Sequence, residues 1–430
     1  MSGGRGRRRR AYARAIRRGR SGRPRRAEPR SGGSGRGAPR DRSDHLAFGR
    51  GCRGCSYQCW TPAGSGRGRG RAVGSFRSRI SAPGGRVVTN SERPIILSAP
   101  APRTLDLIFT DEALKALWAR YEVVETDEEN LPSLPDEILE NARYVIGQPA
   151  IDDSLLERLK SLRCIFNVEG NLMNNMPYPR LFERGIHVVT TMEVFAQPVA
   201  ELGLALALNL MRGIVDADLD FREGNEKWGG DGNTNARLLF GAEVGLVGYG
   251  GLGRALHRLL VPFRTRLRVY DPWLPRSLIV EAGAEPTDLD TVVRNSDVVF
   301  VVAGVTSENQ KFLGAETFRT MRKGASFILL SRADVVDFDA LIEAVSSGHI
   351  TAASDVFPQE PMPSDHPVRQ LPGFIRSAHR AGALDEAFKK MGDFVLEDLA
   401  LLDQGLPPAR CKRAERETVE RLRSRPVDVN

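Results

Sequence analysis

The sequence predicts an α/β protein built from two doubly wound parallel sheets, and three observations carry that prediction. Apolar, strand-like runs alternate with amphipathic helical stretches from about Leu105 onward. The alternation is broken once, by an apolar helical stretch near 197–212 and a polar connection after it. It then restarts at a glycine-rich turn that joins a strand to a helix.

Residues 1–90 stand outside this pattern. They hold 24 arginines, no lysine and three acids (Glu28, Asp41 and Asp44), a charge of +21. The whole chain carries +8, so residues 91–430 carry −13. A body this acidic lacks the basic face that phosphate neutralisation needs, which confines any nucleic-acid contact to the tail. The tail is rich in Gly, Arg, Ser and Pro and is expected to be disordered, because it cannot bury enough apolar surface to offset its ordering entropy. Three origins fit it: an organellar targeting segment, an RNA-contacting arm, or a GC-rich upstream region translated ahead of the true start. Cys52, Cys55 and Cys59 supply three thiols with no fourth ligand close by, so no metal site is expected. Cys164 and Cys411 form no disulfide framework, which points to a reducing, cytoplasmic compartment.

The first block opens with "LDLIFT" and the helix-like "DEALKALWARY", whose first turn is acidic. "RYVIGQP", "DDSLLERLKS", "LRCIFNV", "PYPRLFERG" and "IHVVTT" follow. The stretch "VAELGLALALNLMRG" is interrupted by Glu201, Asn209 and Arg212 and is too short to span a bilayer, so no membrane is expected. It reads as a helix buried between domains, and its surplus of apolar faces predicts a homodimer. The second block runs from "EVGLVG" at Glu243 through "RLRVYD", "DVVFVVAG" and "ASFILLS" to "ITAASDVF". A helix from about Leu384 to Leu402 and a polar end close the chain. The expected division is a tail (1–90), a first domain (91–213) completed by 376–405, a second domain (214–375) and a polar C-terminal tail (406–430).

"EVGLVGYGGLGRALHRLL" places Gly248, Gly250 and Gly253 in G-x-G-x-x-G between an apolar strand and an amphipathic helix. Gly248 permits the tight turn, Gly250 lets the backbone approach a pyrophosphate, and Gly253 lets the helix pack close to the strand. Gly251 and Leu252 lie in the same turn, at the positive end of the helix. Asp271 ends the next strand, 18 residues past Gly253, where a carboxylate accepts from ribose hydroxyls and repels a 2′-phosphate. The expected cofactor is NAD, and the second domain is then of Rossmann type, with a flavodoxin-like first domain beside it.

Farther on, Arg332 stands alone at the carboxyl end of the buried run "SFILLS". "SDVFPQEPMP" then brings Asp355 and Glu360, and "SAHRAG" brings His379. Over roughly residues 105–405 the chain resembles the D-isomer-specific 2-hydroxyacid dehydrogenases. Arg332 and Asp337 match that family's N-x-A-R-G-x-x-V-D segment, with Ala333 in place of glycine. Glu360 matches the last acid of D-V-F-E-x-E-P, with Pro358 in place of the first, and His379 matches P-H-x-A-G, with Ala378 in place of proline. The resemblance implies that Arg332 clamps the carboxylate and carbonyl of a 2-keto acid in its planar fork. It makes His379 the proton donor, Glu360 the anionic partner of the other ring nitrogen, and Asp355 a neighbour of the nicotinamide carboxamide. The first domain then holds substrate and the second NAD.

The chain departs from that family elsewhere. Where a glycine-rich loop, G-x-G-x-D-N-x-D, is usual, this sequence has "EGNLMNNMP", with Leu172, Asn174 and Pro177 out of pattern. Met192 and Gly304 replace prolines. A second function class therefore stands beside the dehydrogenase: a dinucleotide-sensing, non-enzymatic binder on the same fold, of the corepressor kind.

Overall fold

The structure, a computed structural model, describes residues 93–420. The Arg-rich tail with Cys52, Cys55 and Cys59, and residues 421–430, lie outside the described residues.

Thirteen strands are described. They are β1 (Ile95–Ala99), β2 (Glu122–Glu125), β3 (Ala142–Gly147), β4 (Cys164–Asn167), β5 (His187–Thr190), β6 (Glu243–Val247), β7 (Arg266–Tyr270), β8 (Glu285–Pro286), β9 (Val298–Val301), β10 (Ser326–Leu329), β11 (Thr351–Ser354), β12 (Phe374–Arg376) and β13 (Lys412–Arg413). The first sheet runs β13-β5-β4-β3-β1-β2 and the second β12-β11-β10-β9-β6-β7-β8. All pairings are parallel except that of β13, which lies antiparallel on β5 with Lys412 opposite Thr190. The first order is the flavodoxin-like one with an added edge strand, and the second is the Rossmann order extended by β12. The predicted fold class therefore holds.

The central strands read as unbroken apolar runs because helices cover both faces. β1, β4, β9 and β10 are buried at every position. Local signals start the helices where the pattern predicts. Thr110 Oγ1 accepts from the Ala113 amide at 3.2 Å, Asp111 and Glu112 occupy the positive end, and Ala113, Leu114 and Leu117 turn inward.

Two long helices exchange sides between the lobes. The linker helix Ala196–Arg212 follows the first sheet in sequence, yet its apolar face joins the core of the second. Val199, Ala200, Leu206, Ala207 and Met211 pack with Val244, Leu246, Leu256 and Ile328. Gly203 makes this approach close: a Cβ there would lie 2.6 Å from Leu330. By length and composition Met192–Arg212 passes for a membrane span, but the second core takes its apolar face. The closing helix Asp385–Asp403 returns to the first lobe, where Met391, Phe394, Val395 and Leu399 meet Ile108, Phe109, Leu117 and Tyr144.

Asp398 of the closing helix is fully buried. Its Oδ1 accepts from the amides of Ala409 (2.7 Å) and Arg410 (2.8 Å), and Oδ2 accepts from Cys411 (2.8 Å). These bonds anchor the segment that delivers β13 to the sheet edge. Asp398→Ala would leave three amides without an acceptor and should cost about 3 kcal/mol in urea unfolding. A loss of less than about 0.5 kcal/mol, the size of an ordinary surface substitution, would contradict the anchoring role.

Candidate active site

The dinucleotide cradle forms where β6 meets the helix Gly251–Leu260. Gly248 has φ 95°, and a Cβ there would lie 2.7 Å from the Ala303 backbone. A Cβ on Gly253 would lie 2.5 Å from the Gly248 carbonyl oxygen, so only glycine lets the helix sit this close to the strand. Nothing within 4 Å would meet a Cβ on Gly250, which caps the helix and opens onto the cleft. Leu252 packs half-buried on the second core, and Gly251 lies against the Glu193 carboxylate, which a side chain there would have to displace. Asp271 follows β7. Its Oδ2 accepts from the Tyr249 amide (2.7 Å) and its Oδ1 from the Trp273 amide (2.9 Å), which ties the glycine turn to the end of the neighbouring strand. A positive helix end with an open approach, beside a carboxylate at the end of the second strand, fits a dinucleotide.

The loops that follow β10, β11 and β12 bring the other predicted residues together. His379 Nδ1 lies 2.6 Å from Glu360 Oε2, and Glu360 Oε1 accepts from the Phe357 amide at 2.8 Å. Burial pushes the Glu360 carboxyl up. The hydrogen bonds from His379 and Phe357 outweigh that, helped by the charges of His379 and Arg332, and hold it below the ordinary range. The carboxylate is thus charged at neutral pH and lies within the field of Arg332. The Arg332 side chain donates to its own neighbour's carbonyl, Ser331 O, at 2.7 Å. Each side chain has a different exposure: Glu360 is 17 % exposed and His379 40 %, so the ring reaches the cleft while its partner lies behind it.

Asp355 is buried and organises the turn that carries His379. Its carbonyl accepts from the His379 amide at 2.7 Å, its Oδ1 from Arg380 (3.0 Å) and its Oδ2 from Ala381 (3.1 Å). His379 itself has φ 47°, in the left-handed region that a β-carbon disfavours. These three bonds hold it there.

The first lobe supplies the opposite wall through the loop after β4. Asn167 Oδ1 accepts from the amides of Glu169 (2.8 Å) and Gly170 (3.1 Å), and Thr190 Oγ1 donates to Gly170 O at 3.0 Å. Leu172, one of the residues out of pattern, packs against the apolar core of this lobe. Two side chains here were not among the predicted site residues. Phe195 borders both lobes: its ring approaches Gly170 and Gly382, and it packs against both cores. Arg103 lies beside it. Its signal was the one that singled out Arg332, an arginine just past a buried strand.

The sequence profile described as D-isomer specific 2-hydroxyacid dehydrogenase, NAD binding domain, matches residues 204–381. A glyoxylate reductase from Thermofilum pendens is 32 % identical over 336 residues, which span 75 % of this chain and 95 % of that one. The chain belongs to the D-isomer specific 2-hydroxyacid dehydrogenase family. Among solved structures, a phosphoglycerate oxidoreductase from Rhizobium etli is 66 % identical with a TM-score of 0.72, covering 75 % of this chain and 99 % of that one. The NAD-complexed dehydrogenase of this family from Lactobacillus delbrueckii ssp. bulgaricus is 19 % identical with a TM-score of 0.60, covering 74 % and 99 %, a likeness of fold alone. This member of the family is thus an NAD-dependent oxidoreductase acting on CH–OH donors, and the glycine cradle lies in its NAD-binding domain. These relatives are named as reductases, oxidoreductases and dehydrogenases, and they do not favour the non-enzymatic binder.

Proposed function

We propose that the enzyme interconverts a small 2-keto acid and its 2-hydroxy acid, with Arg332 holding the carboxylate and His379 moving the proton at the reacting oxygen. The observation that carries this reading is the 2.6 Å contact between His379 Nδ1 and Glu360 Oε2 beside Arg332, at the same sheet edge as the glycine cradle. With Nδ1 committed to Glu360, Nε2 is the ring nitrogen left to face substrate. Glu360 orients the ring and supplies the anion that stabilises its charged form. The planar fork of Arg332 suits a carboxylate and adjacent carbonyl, which it would fix and polarise. NAD(H), when bound, supplies or takes the hydride.

Asp271 retains lone pairs beyond its two backbone bonds and would accept from the adenosine ribose, which favours NADH over NADPH. Asp355 likewise keeps acceptor capacity for the nicotinamide carboxamide. The expected boundary at 213 moves, because the linker helix packs in the second core, and the segment expected as a C-terminal tail from 406 carries β13 of the first sheet; the working division is a substrate lobe (93–195, completed by the closing helix and β13) and a cofactor lobe (196–384). Free thiols at Cys164 and Cys411 suit a reducing cytoplasm.

We further propose a homodimer built on the cofactor lobe. The helix Ile214–Glu223 has no buried residue, and it presents Ile214, Val215, Leu219 and Phe221 to solvent. Trp228, 74 % exposed, packs edge-on to Phe221, and Leu238 is 68 % exposed. An apolar surface of this kind marks a protein–protein contact. Light scattering at micromolar concentration should give twice the monomer mass, and a monomer would refute the dimer.

Arg332→Ala should lose most of its turnover of 2-keto acids while NADH binding, followed by fluorescence, stays near wild type. Arg332→Lys should recover only part, since a point charge lacks the two-pronged contact. His379→Ala should lower kcat roughly 10²–10⁴-fold. An Arg332→Ala protein with a lower melting temperature but normal kcat per folded molecule would make the arginine structural only. Asp271→Ala should narrow the preference for NADH over NADPH, and equal wild-type efficiency with both would refute its proposed role.

A further inference from the structure

The first sheet has its own switch point, between β1 and β3, and ligands bind outside such points at the carboxyl ends of the strands. The loop leaving β1 carries Arg103. Its guanidinium carbon lies 5.7 Å from the centre of the Phe195 ring and 5.3 Å from that of Phe388. One N–H donates to the Val168 carbonyl, at the start of the loop after β4. Phe195 in turn approaches Gly170 of that loop and Gly382, three residues past His379; a Cβ on these glycines would lie 3.3 Å and 2.9 Å from the ring. Arg103 therefore borders the cleft that His379 enters, on the wall built by the first lobe.

A guanidinium has five N–H donors, and a charge withdrawn from water calls for an anion. Among the described residues Arg103 makes the one hydrogen bond to Val168 and no ion pair. Burial lowers its pKa, and the exposed Glu169 nearby offsets that only in part. The two rings fix the plane of the fork, so little ordering entropy remains to be lost when an anion docks.

We propose that Arg103 binds a second anionic group of the substrate, so that the preferred substrates are 2-keto or 2-hydroxy acids bearing a carboxylate or phosphate at the end remote from the reacting carbon. This rests on the reading of Arg332 as clamp for the first carboxylate. Two cations on two lobes, one for each anionic group, would then set both the orientation and the length of the substrate.

The test follows NADH oxidation by the full chain with hydroxypyruvate, 2-oxoglutarate and 3-phosphohydroxypyruvate at constant ionic strength. Wild type should favour one of the two acids with a second anionic group over hydroxypyruvate by about tenfold or more in kcat/KM, and which one it favours separates a carboxylate from a phosphate. In Arg103→Met that ratio should fall roughly 10–100-fold, chiefly through the KM of the favoured acid, with partial recovery in Arg103→Lys. Glu169→Gln should lower the same KM, because it removes a competing anion. Wild type that reduces hydroxypyruvate as well as either of the other two would overturn the proposal and leave the reading of Arg332 standing. So would an Arg103→Met protein that loses activity equally on all three. Failure to turn over any of the three would overturn the reading of Arg332 and His379, and this proposal with it. Should Arg103→Met not fold, the wild-type ratios and Arg103→Lys decide.

Discussion

The hydrogen bond between His379 Nδ1 and Glu360 Oε2 sets the demands that the rest of the site meets. It requires the histidine backbone at φ 47°, a conformation of the kind that costs on the order of 1–3 kcal/mol and persists only where its surroundings over-determine it. Asp355 does so, with its carbonyl on His379 and its carboxylate on Arg380 and Ala381. β11 and β12 in turn hold Asp355 and the histidine turn at one sheet edge, through parallel pairing from Ala352 opposite Phe374 to Ser354 opposite Arg376. Sheet register thus becomes side-chain geometry within a few residues.

The exchange of helices between the lobes explains why the cleft forms where it does. The chain leaves the first sheet just after Thr190, enters the second core as the linker helix, and returns through the His379 turn to the closing helix. Both passages run past Phe195, which touches glycines on either side. Loops from the carboxyl ends of both sheets therefore converge on one ring. The body carries −13, with 38 Lys and Arg residues against 51 acids, and it sets Arg332 and Arg103 beside the cleft, where their charge attracts an anionic ligand.

Much of the site was legible because its signals are local. A tight turn, an open helix end and a close strand–helix contact each demand glycine at a fixed offset, so Gly248 to Gly253 and Asp271 could be placed from spacing alone. Arg332, Glu360 and His379 were legible through their order and through resemblance. What escaped depends on contacts distant in sequence. Nothing in "VAELGLALALNL" says which core the helix joins; that follows from Gly203 meeting Leu330. β13 is two charged residues, Lys412 and Arg413, without apolar periodicity, and it exists because Asp398 anchors the segment before it. Arg103 acquires its setting from Phe195 and Phe388, and no window of sequence contains all three.

The central claim is that Glu360, held ionised, keeps the His379 ring poised to move a proton. The most direct measurement is kcat and KM for keto-acid reduction by wild type and by Glu360→Gln, whose side chain keeps the hydrogen-bonding shape but not the charge. The account predicts a fall in kcat of roughly 10²-fold or more with KM and NADH binding little changed, because the ring loses the anion behind it as the proton moves. A variant that keeps the wild-type kcat would contradict it.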